Sequence, residues 1–127
     1  MRLLLDTQIY LWYSAASPKL PKRAYDVIGN ATQVYVSAAS IWEAAIKIGV
    51  GKLSAKVDDL LAGIPGSGFS PLFVRMEHAA LVAKLPLHHR DPFDRLLVAQ
   101  AISETLRLLT ADKALTQYSD LVVQVGK

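Results

Sequence analysis

The sequence predicts an α/β fold: a three-layer sandwich whose central, mainly parallel sheet is covered by helices on both faces. Short apolar segments typical of buried strands alternate along the chain with segments typical of helices, the pattern expected of parallel sheets. The 127 residues are enough for one hydrophobic core. Since no repeat or linker interrupts the pattern, we expect residues 1–127 to form a single domain.

The predicted strands are short and rich in leucine and valine. The first of them is entirely leucine, as suits a strand buried on both faces. Proline lacks an amide hydrogen, so Pro71 predicts that its strand lies near an edge of the sheet. The five predicted strands are residues 3–5, 33–37, 70–74, 107–110 and 121–125.

Helices are predicted between these strands from their end signals. Asp91 followed by Pro92 predicts a helix start, because aspartate caps the first turn and proline fits its first position. Gly29 and Asn30 predict a helix end. The predicted helices are residues 7–14, 22–28, a helix containing Glu43 that runs to 48, 57–64, 77–85, 92–105 and a turn at 113–116.

Composition narrows the class of protein. There is no cysteine, which excludes disulfides and thiolate zinc sites and is typical of a cytoplasmic protein. No apolar run approaches the roughly 18 residues of a membrane span, and the start does not look like a signal peptide. The net charge is +3, and 52% of residues are hydrophobic. The apolar excess predicts a surface covered by a partner or by a second copy of the chain.

Four acidic residues lie where a strand-like segment passes into a helix-like one: Asp6, Glu43, Asp94 and Asp112. If the strands are parallel neighbours, their carboxyl ends share one edge, where open α/β sheets bind ligands. Carboxylates gathered at that edge repel one another unless a cation neutralises them, and hard divalent cations prefer oxygen ligands. The pattern therefore predicts a metal–carboxylate site.

Helix capping is an alternative interpretation of each acid. Ser40 and Glu43 have the spacing of a capping box, and Asp94 falls in a first helical turn where negative charge suits the helix dipole. Asp6 and Asp112 can be simple caps. Capping does not explain why so many junctions carry an acid, and the ionised carboxylate it favours is also the form that binds metal.

The chain resembles the PIN-domain nucleases, and more closely the VapC-type toxins of bacterial toxin–antitoxin pairs. The resemblance extends over nearly the whole chain, and Asp-Pro-Phe-Asp-Arg at 91–95 with its following helix is its most specific part. The matching segments are 3–7, 37–43, 91–101 and 108–112.

The resemblance implies a function and a site. It implies an endoribonuclease that uses Mg²⁺ or Mn²⁺ to cut structured transfer or ribosomal RNA, a small antitoxin that covers the acidic pocket, and a homodimer. By position, Asp6, Glu43, Asp94 and Asp112 match the family's catalytic and metal-binding acids, with Asp6 and Asp94 expected to bind directly. Thr110 and Asp91 are expected to support them. Gln8 stands where close relatives often carry histidine, so it receives no proton-transfer role.

Other polar and aromatic residues receive milder expectations. His78, His88 and His89 are candidates for metal ligands or proton carriers, but His88 and His89 are interpreted in preference as part of a solvated basic loop at the rim of the proposed pocket. The aromatic residues Trp12, Tyr13 and Trp42 are expected in the core or a partner interface rather than stacked on RNA bases. The candidates for contacts to RNA phosphates are His89, Arg90, Arg95 and Lys113.

Two other classes of function remain open at this point. A metal-dependent phosphatase or receiver-like domain also gathers acids at strand ends, but it would want a lysine where the late junction here carries Asp112. A non-catalytic module that binds nucleic acid or a partner would use the acids as caps only. RNA cleavage that depends on Asp6 or Asp94 separates both from the nuclease.

Overall fold

The computed structural model describes residues 1–126, in which helices alternate with the strands of one sheet. Every predicted strand and helix is present, with bounds shifted by a few residues. In chain order the elements are β1 (Arg2–Leu5), α1 (Thr7–Ser14), α2 (Lys22–Asn30), β2 (Gln33–Ser37), α3 (Ala38–Gly49), α4 (Val57–Gly66), β3 (Ser70–Leu72), α5 (Met76–Val82), α6 (Pro92–Glu104), β4 (Arg107–Thr110), a 3₁₀ helix (Lys113–Gln117) and β5 (Val122–Gln124).

The sheet has five strands in the order β3-β2-β1-β4-β5, and every neighbouring pair is parallel. The strand that contains Pro71 is an edge strand, as predicted. Strand β1 is central, and its last residue, Leu5, is in register with Val36 on one side and Leu109 on the other. The carboxyl ends of the three central strands therefore lie together at one edge.

Helices cover both faces of the sheet and confirm the three-layer prediction. Leu3 and Leu5 point to one face and join a core with residues of α1, α2 and α4. Leu4 points to the other face and packs with α6 residues such as Leu97 and Val98. Alternate residues of one strand thus enter two separate cores, which is why β1 is apolar throughout.

The helix starts test the capping interpretations. Asp91 caps α6 as predicted, and its carboxylate accepts hydrogen bonds from the Phe93 and Asp94 amides at 2.8 and 3.3 Å. The capping-box interpretation of Glu43 is wrong. Helix α3 begins directly after β2, with Ser37 as its cap, so Glu43 lies in the second turn. Its carboxylate is too far along the helix to reach the capping amide.

No helix within residues 1–126 has the length and apolar character needed to cross a lipid bilayer.

Candidate functional site

Two of the acids lie at the ends of the adjacent strands β1 and β4, and a threonine links them. Asp6 is only 5% exposed, and its Oδ2 accepts a hydrogen bond of 2.5 Å from the Thr110 hydroxyl. Its Oδ1 caps α1 by accepting from the Ile9 amide at 2.8 Å. The Thr110 hydroxyl also accepts from the Asp112 amide at 3.0 Å. Thr110 therefore fixes the spacing of the first and the fourth acid.

Glu43 reaches the same edge from α3 and is almost fully buried, at 8% exposed. Its Oε2 lies 3.2 Å from the ammonium of Lys47, one helical turn further along. Its Oε1 is buried and has no hydrogen-bond partner within residues 1–126. A buried, ionised oxygen without a partner is costly, so this atom marks a place that suits a ligand.

Asp94 and Asp112 are joined by a histidine. Asp94 lies in the first turn of α6, and its Oδ2 is 3.6 Å from Nε2 of His89. The same nitrogen is 2.9 Å from Oδ2 of Asp112. The other carboxylate oxygen of Asp112 accepts from the Ala114 amide at 2.9 Å and caps the 3₁₀ helix. These three side chains each offer one ligand atom within 4.8 Å of the others.

The acids perturb one another's ionisation. Burial, with added repulsion from Glu43 and Asp112, raises the pKa of Asp6 to about 6 against the opposing effect of its hydrogen bonds. Burial also raises the pKa of Asp94 to about 7, and the charges of Asp91, Asp6 and Glu43 add to the shift. Glu43 and Asp94 are thus close enough to Asp6 to share one electrostatic site, as the sequence predicts.

The donor set fits a hard divalent cation. The acids offer only oxygen, one of their oxygens is buried without a partner, and their mutual repulsion favours an added positive charge. The tightest group in residues 1–126 comprises His89, Asp94 and Asp112, and Asp6 lies outside it. Direct binding of one cation by Asp6 together with Asp94 stays a prediction.

Thr110 contacts Asp6, and Asp91 caps the helix that carries Asp94. The residues predicted to contact RNA phosphates differ in their surroundings. Arg90 and Lys113 are exposed beside the site and stay candidates. Arg95 does not fit that role. Its Nη1 and Nη2 atoms donate to the carbonyls of Val82, Leu85 and Pro86 and to the Tyr118 hydroxyl, so these two groups are already engaged.

Sequence reasoning misses one residue of the site and the contacts of another. The sequence places His89 at the site as a candidate phosphate contact in a solvated loop, yet its ring is largely buried between Asp94 and Asp112. The sequence feature that points to these contacts is the position of His89, two residues before Asp91, which caps α6. The other residue is Lys47, whose spacing of four from Glu43 is the usual spacing of a helical ion pair. The other two histidines are not in the acid cluster: His78 is fully buried against Glu104, and His88 is exposed.

The aromatic residues also divide. Trp12 and Tyr13 are partly buried and pack against the core, as predicted. Trp42 is 62% exposed and contacts the ring of Phe93, with the centroids 5.1 Å apart. These two rings directly precede Glu43 and Asp94 in the sequence. They help to line an apolar cavity of about 430 Å³, together with Ile46, Ala79, Val82, Pro92 and Leu96.

A parallel sheet that carries buried acids at its carboxyl edge defines a class of protein, and sequence comparison identifies it. The chain belongs to the PIN domain family, whose model matches residues 3–121. It is 31% identical over 123 residues to Ribonuclease VapC22 of Mycobacterium tuberculosis (strain ATCC 25618 / H37Rv), an alignment that covers 91% of each protein.

Solved structures share the fold. The chain resembles one in the crystal structure of VapBC2 from Rickettsia felis bound to a promoter DNA fragment, with a TM-score of 0.71, 19% identity and coverage of 99% of this chain and 100% of that one. A toxin–antitoxin complex from Klebsiella pneumoniae matches with a TM-score of 0.66, 17% identity and coverage of 96% of both chains. At these identities the likeness concerns the fold.

Proposed function

We propose that this protein is a metal-dependent endoribonuclease and the toxin of a toxin–antitoxin pair. The observation that carries the proposal is the convergence of Asp6, Glu43, Asp94 and Asp112 at one sheet edge, with the Glu43 Oε1 atom buried and unpartnered within residues 1–126. Helix capping alone leaves that atom unexplained. The relative from M. tuberculosis is named a ribonuclease, and the family match covers all four acids.

The four acids are proposed to hold one or two Mg²⁺ or Mn²⁺ ions. Such a cation, when bound, neutralises the phosphate oxygens of RNA and lowers the pKa of water. One carboxylate oxygen each of Asp94 and Asp112 lies within 4.8 Å of the other, and the charges of Asp6 and Glu43 act on Asp94, which supports a shared site. Thr110 keeps Asp6 from rotating, since its hydroxyl donates to Oδ2 while the Ile9 amide holds Oδ1.

The proposed reaction is hydrolysis of a phosphodiester bond. A water oxygen loses a proton to the surrounding solvent and forms a bond to phosphorus. The bond from phosphorus to the 3′ oxygen breaks, and the 3′ oxygen takes up a proton from solvent. The products are a 5′-phosphate and a 3′-hydroxyl. Glu43 and Asp112 are proposed to bind the cation through water or to orient the attacking water. Arg90 and Lys113 lie exposed beside the site and are proposed to contact the phosphate backbone.

The proposed substrate is a structured transfer or ribosomal RNA in the cytoplasm, and the proposed inhibitor is an antitoxin whose chain covers the acidic pocket. The neighbours of this fold include toxin–antitoxin complexes, which supports a partner of that kind. The apolar cavity beside Trp42 and Phe93 supplies surface for a partner or for the second copy of a homodimer. Light scattering of the purified chain, alone and with an antitoxin, tests both.

The test of the function is cleavage of total cellular RNA by the purified protein and by Asp6→Asn, with and without Mg²⁺. Asp26→Asn is the matched control, because Asp26 is exposed on α2 and takes no part in the site. We expect new 5′-phosphate ends with wild type and Asp26→Asn only. Equal cleavage by Asp6→Asn would contradict the proposal, and 2′,3′-cyclic phosphate ends would show that the RNA hydroxyl attacks instead of water.

A further inference from the structure

The two ring nitrogens of His89 have partners that fix which of them carries the hydrogen. Nδ1 lies 3.0 Å from the Asp91 backbone amide, which can only donate, so Nδ1 presents its lone pair. The hydrogen of the neutral ring is then on Nε2, which donates to Oδ2 of Asp112 at 2.9 Å. The ring thus links the cap of α6 with the acid that follows β4.

Two side chains, those of Tyr118 and Arg95, hold the loop that carries His89 through hydrogen bonds. The Tyr118 hydroxyl accepts from the backbone amides of His88 and His89 at 3.1 and 2.9 Å. The Arg95 guanidinium donates to that hydroxyl and to the Pro86 carbonyl in the same loop. Because these bonds fix the backbone of the loop, the position of the His89 imidazole does not depend on a bound ligand.

This arrangement narrows the role of His89. As a metal ligand through Nε2 it would need the other tautomer, which would set an Nδ1 hydrogen against the Asp91 amide hydrogen at a separation of 3.0 Å between the nitrogens. As a proton acceptor it has no free lone pair. The remaining role is to donate a hydrogen bond to Asp112 and to hold that carboxylate beside Asp94, 3.6 Å from the same nitrogen.

We infer that His89 is a positioning residue. The Asp91 amide donates to its Nδ1 and so keeps the hydrogen on Nε2, and this Nε2 hydrogen fixes the Asp112 carboxylate so that Asp112 and Asp94 present their oxygens to one divalent cation. The inference rests on the proposed function for its biological meaning, but it concerns cation binding in the absence of RNA. Groups that orient metal-binding residues typically change metal affinity by about 10–100-fold when they are removed.

Two substitutions at His89 each remove one of the two hydrogen bonds of its ring and keep the other. The first variant is His89→Gln, because a glutamine side chain reaches about as far as Nε2 and keeps a donor to Asp112. The second, His89→Asn, is shorter. Its side-chain oxygen can accept the amide two residues on, as in an Asx turn, but its donor falls short of Asp112. His89→Ala removes both bonds. His88→Gln is the matched control, because the exposed His88 side chain makes no hydrogen bond within residues 1–126. Its ring only packs edge-on against the Tyr118 ring, with the centroids 5.1 Å apart.

The first measurement is Mn²⁺ affinity by titration calorimetry on the purified chain without RNA. We expect His89→Ala and His89→Asn to weaken binding about tenfold or more, and His89→Gln and His88→Gln to stay within about threefold of wild type. Thermal unfolding without metal identifies a variant that has not folded. Wild-type affinity in His89→Ala and His89→Asn, or a loss in His89→Gln as large as in His89→Ala, would overturn the inference.

The second measurement is nitrogen NMR of the three histidines, with the His89 signals assigned by their loss in His89→Gln. We expect a hydrogen on Nε2 and none on Nδ1, and the opposite tautomer would overturn the inference. The proposed function fails separately. If wild type does not cleave RNA but the Mn²⁺ affinities and the tautomer follow this pattern, His89 still positions Asp112 in a cation site that serves another reaction.

Discussion

The two ends of α6 carry the same kind of hydrogen-bonded couple in different surroundings. At its start, Nδ1 of His89 accepts the Asp91 amide and Nε2 faces Asp112. At its end, Nδ1 of His78 accepts the Arg75 amide at 2.9 Å and Nε2 faces Glu104 at 2.8 Å. The ring of His78 is fully buried, whereas that of His89 is 22% exposed.

The difference lies in what else each carboxylate faces. The His78 couple ties α5 to α6, and the His78 ring also lies 3.4 Å from the buried Gln100 amide. The Asp112 carboxylate instead lies beside Asp94, in an electrostatic site with Asp6. Asp94 and Glu104 are ten residues apart on α6, which separates them by about 15 Å along the helix. The two couples have the same hydrogen bonds, and they differ in that only the one at Asp112 lies among other acids.

The largest expected difference between the two ends is in RNA cleavage. Asp94→Asn removes a carboxylate from the proposed cation site and should lower the cleavage rate on the order of 100-fold or more. Glu104→Gln keeps a side chain of the same shape at the other end and should leave the rate within about twofold. Single-turnover cleavage measures both. Similar losses of cleavage rate in the two variants would show that the two ends of α6 do not differ in function.

The reverse contrast is expected for stability. His78→Ala leaves the Arg75 amide and the Glu104 carboxylate without their partner and opens a cavity, so the free energy of unfolding should fall by about 2–4 kcal/mol. His88→Ala, at an exposed position, removes only the edge contact between the His88 and Tyr118 rings and should cost about 1 kcal/mol or less. Urea denaturation measures these values. Weaker Mn²⁺ binding by folded His78→Ala would show that this couple also serves the site.

The acids at the start of α6 and the end of β1, Asp94 and Asp6, should also control how stability depends on pH. With the pKa of Asp6 raised to about 6 and that of Asp94 to about 7, the folded protein binds more protons than the unfolded chain above about pH 4. The stability from these groups is complete below about pH 4 and is lost as the pH rises through the two raised pKa values. Each pKa unit corresponds to about 1.4 kcal/mol, so the loss is a few kcal/mol.

Denaturation in EDTA between about pH 4.5 and 8 checks this sign. Asp94→Asn removes one of the two raised groups, so it should flatten the curve and be more stable than wild type at the alkaline end. Saturating Mg²⁺ should flatten it as well, because the cation binds the ionised carboxylates. A wild-type protein that gains stability over this range in EDTA would contradict the prediction.

The smallest effect is expected at Lys47, the cation paired with Glu43. Its side chain is 40% exposed, so water screens the pair, and Lys47→Met should lower metal-free stability by only about 0.5 kcal/mol. Methionine keeps most of the apolar stem, which isolates the charge. Urea denaturation of both proteins in EDTA measures the difference. Equal stabilities with and without the lysine would mean that Glu43 does not need this neighbour.

Much of the fold follows from local patterns in the sequence. The leucine run before Asp6 predicts a buried strand, and Asp91 with Pro92 predicts the start of α6, because both depend on neighbouring residues only. The four acids are predicted to meet because parallel strands align their carboxyl ends. The raised pKa of Asp94 indicates that three of them, Asp6, Glu43 and Asp94, interact.

The missed features depend on contacts between distant residues. His89 enters the site because Tyr118, 29 residues away, holds its backbone amide, and no local pattern contains that contact. The spacing from Ser40 to Glu43 suggests a capping box, but the helix starts earlier, at the end of β2. Arg95 has the charge expected of a phosphate contact, and only the folded loop shows that carbonyls use its donors.

The hydrogen bond between Thr110 and Asp6 joins residues 104 positions apart. During synthesis, Asp6 leaves the ribosome 104 residues before the threonine that fixes it. A growing chain therefore carries an incomplete centre until β4 docks beside β1. If the folded protein is harmful to the cell that makes it, this order of assembly delays the harm until β4 has been made and has paired with β1.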